Sequence, residues 1–255
     1  MYNFNRLFSE YVLSKGHVHE EDLASVYEEW YNSPSVALNA SPKQIIDGMS
    51  DSELIEELTD ECYDGAPSLT VMENLEKRGN DRLLSSLLYE DNSTLVYCAA
   101  ELLRNMDKAP LEVFANMLSR VSDVDLFELI VSSLKENPDS VREILLEIVQ
   151  DANPSLRTVI AEILAEGGRD ERVYKLLTEL FASGDNLALY ATYLARYGDE
   201  RAGAMLYRAL ENASYADYIE IRNAIEMIGG VVDEEKDFST DPEYLIIKEN
   251  AGANK

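Results

Sequence analysis

An internal repeat constrains this chain more than any other feature. Leu103, Leu134, Leu164, Leu194 and Ile225 occupy equivalent places, spaced by 31, 30, 30 and 31 residues. Around them, Ala100-Glu101-Leu102-Leu103, Ala161-Glu162-Ile163-Leu164 and Ala191-Thr192-Tyr193-Leu194 set a small residue three places before a large one. On a helix, the small side chain admits a neighbour closely and the large one fills the layer between them. A stop and a restart follow each block: Leu164-Ala165-Glu166-Gly167-Gly168-Arg169-Asp170-Glu171-Arg172 matches Leu194-Ala195-Arg196-Tyr197-Gly198-Asp199-Glu200-Arg201 with one residue inserted. Gly168 and Gly198 are expected to end helices in the left-handed conformation, and Asp170 and Asp199 to cap the next ones. Each period thus holds two helices. Pro110 and Pro138 open the first helices of earlier periods, where a missing N–H costs nothing.

The stretches Leu156-Arg157-Thr158-Val159-Ile160-Ala161-Glu162-Ile163-Leu164 and Gly198-Asp199-Glu200-Arg201-Ala202 resemble the HEAT-like repeats of the phycobilisome-lyase type, over about residues 52 to 230. Two periods depart from that pattern: Val131-Ser132-Ser133-Leu134 has no Gly-Asp stop, and Arg222 fills the small-residue slot before Ile225. The resemblance implies an all-α fold, a right-handed α-α superhelix or HEAT-like solenoid of five to six helical hairpins. An early hairpin fits it, with helices over Ser52 to Cys62 and Pro67 to Arg78. The capping box Ser50-Asp51-Ser52-Glu53 announces the first, and Gly79-Asn80-Asp81 stops the second. Residues 1–50 lack the repeat. Phe4, Leu7, Phe8, Tyr11 and Val12, then Leu23, Val26, Tyr27, Trp30 and Tyr31, recur at helical spacing, and Ser41-Pro42 starts a third helix. The organisation expected is an N-terminal helical cap (1–50), a repeat region (51–230) and an acidic extension (231–255). In the extension Asp241-Pro242 opens a short helix through Ile247, and Ala251 to Lys255 fray.

Charge restricts the partners. Against 22 Lys and Arg stand 49 Asp and Glu, a formal net charge of -27. Nucleic acids and anionic membranes are bound by cations that neutralise phosphates, so this chain is expected to bind neither. A basic protein or peptide is steered toward it instead. The first residues carry no basic start followed by a long apolar stretch, and no apolar run approaches the roughly 20 residues of a membrane span. A cytoplasmic protein is the expectation. Cys62 and Cys98 suggest neither a zinc site nor a disulfide framework.

Candidate chemistry is thin. His17-Val18-His19-Glu20-Glu21-Asp22 has metal-ligand residue types, but it directly precedes a helix and reads as solvated capping sequence, so no metal and no cofactor are expected. These are the only two histidines, which leaves the repeat region without a general base for Ser-His or Cys-His catalysis. Carboxylate pairs such as Glu56 and Glu57, Asp60 and Glu61, and Asp233, Glu234 and Glu235 are expected on the wet faces of helices. No catalytic residue is assigned. The expected function is non-enzymatic: a protein-interaction module that receives a partner polypeptide. A HEAT-like protein handling a small molecule or tetrapyrrole is the alternative that the resemblance supplies.

In a solenoid the second helix of each hairpin lines the concave binding face. If Ala-x-x-Leu is buried, the exposed stripe of these helices carries Tyr97 and Glu101, Glu128 and Ser132, Thr158 and Glu162, Ala188 and Thr192, and Ile219 and Asn223. A segment bearing Lys and Arg suits its first half. Tyr174, Tyr190, Tyr193, Tyr197, Tyr207, Tyr215 and Tyr218 cluster farther on, with Arg196 and Arg222. Tyr and Arg are enriched at binding hot spots, and Tyr215, Tyr218 and Arg196 are the favoured contacts among these.

Overall fold

Polar side chains at the helix starts account for most of the chain's segmentation. In the computed structural model, which describes residues 2–35, 38–233 and 236–253, all regular structure is helical apart from one isolated bridge between Ser35 and Ala40. Three helices form the N-terminal segment: α1 (Phe4–Lys15), α2 (Leu23–Asn32) and α3 (Pro42–Gly48). Then come α4 (Asp51–Asp64), α5 (Leu69–Arg78), α6 (Asp81–Leu87), α7 (Ser93–Asn105), α8 (Leu111–Met117) and α9 (Val124–Lys135). The remainder are α10 (Pro138–Ile148), α11 (Pro154–Leu164), α12 (Glu171–Ala182), α13 (Leu187–Tyr197), α14 (Gly203–Leu210), α15 (Tyr215–Met227) and α16 (Pro242–Ala253). Ser41 and Ser50 each complete a capping box, with Gln44 and Glu53. Ser68, Asn80, Asn92, Asn153, Asp170 and Ser214 accept from the first-turn N–H groups of α5, α6, α7, α11, α12 and α15.

The described chain divides into two compact units, Met1–Phe114 with Arg120–Ser133, and Ala115–Ser119 with Leu134–Lys255. In the first unit α4 packs on α5 and α6 on α7, while α4 and α5 both rest against α7. In the second, α10 packs on α11, α12 on α13 and α14 on α15, with α13 also against α15. Sequential helices therefore pack as neighbours. The repeat positions supply the core: Leu103, Leu134, Leu194 and Ile225 are 0% exposed and Leu164 1%. Ala100, Ala161 and Ala191 are equally sealed. Trp30 is buried in the N-terminal segment between Phe8 and Tyr27, with ring centroids 5.2 and 5.7 Å away.

Two glycines that look alike in sequence do different things. Gly198 ends α13 at φ 71°, as expected, and its N–H donates to the Leu194 carbonyl. Gly168 is not left-handed. It is small because the Asp139 carboxylate and the Arg142 guanidinium press on it: its N–H donates to Asp139 Oδ1 at 2.7 Å, and an added Cβ would meet Asp139 Oδ2 at 3.3 Å. The extra residue in that loop changes the backbone path, so close approach replaces conformational need.

In the second unit the Asp-x-Arg restarts build the same clamp twice. Asp170 caps α12 and holds Arg172, whose guanidinium also takes both Glu143 carboxylate oxygens at 2.6 and 2.8 Å. One period later Asp199 holds Arg201, which takes both oxygens of Glu171 at 2.8 and 3.2 Å. Arg201 also lies 4.3 Å over the Tyr174 ring. The Tyr197 hydroxyl adds a further tie, accepting from the Asp170 N–H and donating to the Asp170 carbonyl at 2.9 Å. These arginines hold Asp170 down to a pKa of about 2 and Asp199 below its usual range.

The expectation of wet carboxylate pairs fails on α4. Glu57 and Glu61 are each 1% exposed, on the face shared with Leu54, Leu58 and Cys62. Both point at the start of α1: Glu57 accepts from the backbone N–H groups of Tyr2 and Asn3, and Glu61 from that of Phe4 at 2.8 Å and of Ser68 at 2.7 Å. The unpaired N–H groups at the head of a helix are donors that a buried carboxylate can satisfy. Burial nevertheless pushes the Glu61 pKa up. Glu56, by contrast, is exposed. Glu234 and Glu235 of the third pair lie outside the described residues, as do Asn254 and Lys255. The C-terminal helix runs past Ile247 to Ala253, longer than expected. No helix among the described residues is long and apolar enough to cross a membrane.

Candidate functional site

The predicted stripe behaves differently in the two units. In the first, Tyr97 and Glu101 lie one turn apart on α7, both half-buried, and Glu128 is exposed on α9. Asp125, one turn before Glu128 in the first turn of α9, lies beyond the two positions per helix that the sequence pattern marks. Burial raises the pKa of the Tyr97 hydroxyl, and the charges of Glu101 and Asp125 raise it further. Among the described residues no Lys or Arg forms an ion pair with Glu101, Asp125 or Glu128. Tyr97 thus stands beside two acids, Glu101 and Asp125.

In the second unit the equivalent side chains are engaged by the chain itself. Thr158 Oγ1 lies 3.0 Å from the Tyr190 hydroxyl and donates to the Pro154 carbonyl. Glu162 receives Lys135 Nζ at 2.7 Å and stands beside Tyr193, whose hydroxyl pKa is raised by burial first and by Glu162 second. Thr192 Oγ1 turns back to the Ala188 carbonyl at 3.1 Å. Arg196 donates to Glu166 at 3.1 Å, and Arg222 to Glu226 at 3.0 Å. Asn223 is exposed.

The tyrosine cluster is largely internal. Tyr190, Tyr193, Tyr197 and Tyr218 are buried, and Tyr174 lies beneath Arg201. Phe238, from the stretch before α16, packs against Tyr215 and Tyr218 with centroids 5.1 and 5.0 Å away, and Tyr244 closes on Tyr215 at 5.0 Å. Tyr218 is 5% exposed, so its ring is filling space for this chain. No spacing rule connects Phe238 to α15, and the sequence gives no sign of that contact.

His17 and His19 are exposed, their rings 4.8 Å apart, and the following Glu20–Asp22 forms a short 3-10 turn. Two clefts open elsewhere: one of about 710 Å³ bordered by Tyr207, Leu210, Tyr218, Val231 and Lys236, the other of about 430 Å³ bordered by Tyr2, Ile45, Met49, Glu53, Glu56 and Glu57. In the first, the Lys236 ammonium already donates to the Glu211 and Ala213 carbonyls at 3.0 and 2.8 Å.

No protein-family model matches this chain, and no curated protein matches it. Among solved structures, a crystal structure of an engineered protein from a structural genomics consortium is similar at 17% identity and a TM-score of 0.44. The match covers 73% of this chain and all of that one.

Proposed function

We propose that this chain is a HEAT-like repeat protein whose hairpins stack as a right-handed α-α superhelix and which works as a non-enzymatic interaction module for a basic polypeptide. The receiving surface is the second-helix stripe, centred on Tyr97, Glu101, Asp125 and Glu128. One observation supports this reading: among the described residues the acids of that group form no ion pair, whereas Glu162, Glu166 and Glu226 each have one. A Lys or Arg side chain arriving there gains carboxylate partners, and its methylenes or guanidinium plane can lie on the Tyr97 ring. The net charge of -27 extends the attraction beyond contact distance and disfavours nucleic acids and anionic membranes. A cytoplasmic location belongs to the same proposal.

The test is a titration of the full chain with fluorescent Lys/Arg-rich peptides at two salt concentrations. Replacing Glu101 and Glu128 together by Gln is expected to weaken binding about tenfold, the equivalent of about 1.4 kcal/mol, and to flatten its salt dependence. Glu162→Gln should leave binding unchanged. Equal losses from both variants would refute the siting, and purification of the native protein with a bound chromophore or metabolite would replace the reading altogether.

A further inference from the structure

Glu101 and Glu162 occupy the same place in the repeat, directly after the small residue of Ala100-Glu101-Leu102-Leu103 and Ala161-Glu162-Ile163-Leu164. Their surroundings differ. Glu162 accepts from Lys135 Nζ through one carboxylate oxygen at 2.7 Å, with the two side chains 29% and 27% exposed. Lys135 directly follows Leu134, the large residue of the preceding repeat. Before Glu101 the corresponding large residue is Leu75, 28 residues ahead of Leu103, 2% exposed, on α5, which rests against α7. The residue directly after it is Glu76, which is exposed. The place that holds a cation ahead of Glu162 therefore holds an acid ahead of Glu101. Among the described residues neither Glu76 nor Glu101 forms an ion pair.

We propose that the polypeptide received by this chain presents a lysine, not an arginine, whose ammonium takes Glu101 as Lys135 takes Glu162. Glu76 keeps that place open by being an acid where the later repeat carries its own lysine. The lysine assignment rests on the acidic stripe being a receiving surface and names the side chain received there. The fold uses its carboxylates in two ways. The clamp acids Glu143 and Glu171 give both oxygens to the forked guanidinium groups of Arg172 and Arg201. The place shared by Glu101 and Glu162 gives one oxygen to an ammonium, a compact charge that needs no second acceptor in the same plane. Tyr97, half-buried one turn before Glu101 on α7, offers its ring to the methylenes of a lysine whose head reaches the carboxylate.

The test titrates the full chain with fluorescent peptides that differ only at their basic positions, which carry Lys, Arg or Nε-acetyl-Lys. The Lys peptide should bind about tenfold more tightly than the acetylated one and about threefold more tightly than the Arg one. Glu76→Lys supplies an internal ammonium and should weaken binding of the Lys peptide about tenfold. Glu20→Lys, the same charge change ahead of α2, should alter it by less than about twofold. Lys135→Ala frees Glu162 and should add a second binding place for the Lys peptide. Equal affinities for the Lys and Arg peptides would overturn the lysine assignment and leave the interaction module standing, whereas no binding of either would refute both. Wild-type affinity in Glu76→Lys, or no second place in Lys135→Ala, would also overturn the assignment. The peptide comparison on the wild-type chain decides the matter even where a variant fails to fold.

Discussion

Among the described residues, the acids of the second-helix stripe form no ion pair in the first unit and are paired within the chain in the second. Among the described residues Glu101, Asp125 and Glu128 form no ion pair, while Lys135, Arg196 and Arg222 meet Glu162, Glu166 and Glu226. The cohesion of the units differs in the opposite sense. The second is stitched between hairpins by surface clamps, Glu143 with Arg172 and Glu171 with Arg201. The first relies on buried carboxylates, with Glu57 and Glu61 holding the N–H groups of Tyr2, Asn3 and Phe4. One helical pattern thus supports two uses of charge: in one unit these acids form no ion pair among the described residues, in the other they are engaged in the fold's own contacts.

That comparison can be broken at its common base first. Leu103 and Leu194 are both 0% exposed at equivalent repeat positions, so replacing either by Ala should cost about 3 kcal/mol in urea unfolding; unequal losses would show that the two repeats are not energetic equivalents. Next, Glu61→Leu strands the buried N–H groups of Phe4 and Ser68 and should cost about 2 kcal/mol. Glu61→Gln, which keeps an acceptor, should recover part of that, and full recovery by Leu would mean the carboxylate cradle contributes nothing.

Asp170→Ala should lose about 1 kcal/mol at neutral pH through the missing cap. Because the folded pKa of Asp170, about 2, lies below its ordinary value, its contribution is present above about pH 4 and disappears as pH falls toward 2. Wild type and variant should therefore converge in acid, and a gap that persists at pH 2 would detach the clamp from its charge. The smallest effect belongs to the exposed pair: Arg196→Ala, which loses Glu166, should change stability by no more than about 0.5 kcal/mol.

How far the stripe was legible follows from which residues carry it. Ala100 and Leu103 fix the helix register around Tyr97 and Glu101, so that these two share one helix face is readable from the spacing. Asp125 lies one turn before Glu128 at the start of α9, beyond the two positions per helix that the Ala-x-x-Leu spacing marks. Glu57 and Glu61 sit at the third and seventh places after Leu54, within an apolar stripe that also holds Leu58 and Cys62. The signal was present, but hydropathy assigns acids to water unless a donor is known to wait for them. That donor is the head of α1, fifty-odd residues away, which no local pattern announces.

The amino-acid order alone determined the helices, their stops and their common core, because capping side chains act within four residues and the Ala-x-x-Leu spacing acts within one turn. Tertiary structure decided which charges are used and which remain. Ion pairs 30 residues apart and the covering of Tyr215 and Tyr218 by Phe238 both depend on distances between helices. Such distances come from packing, and a chain's local periodicity contains no term for them.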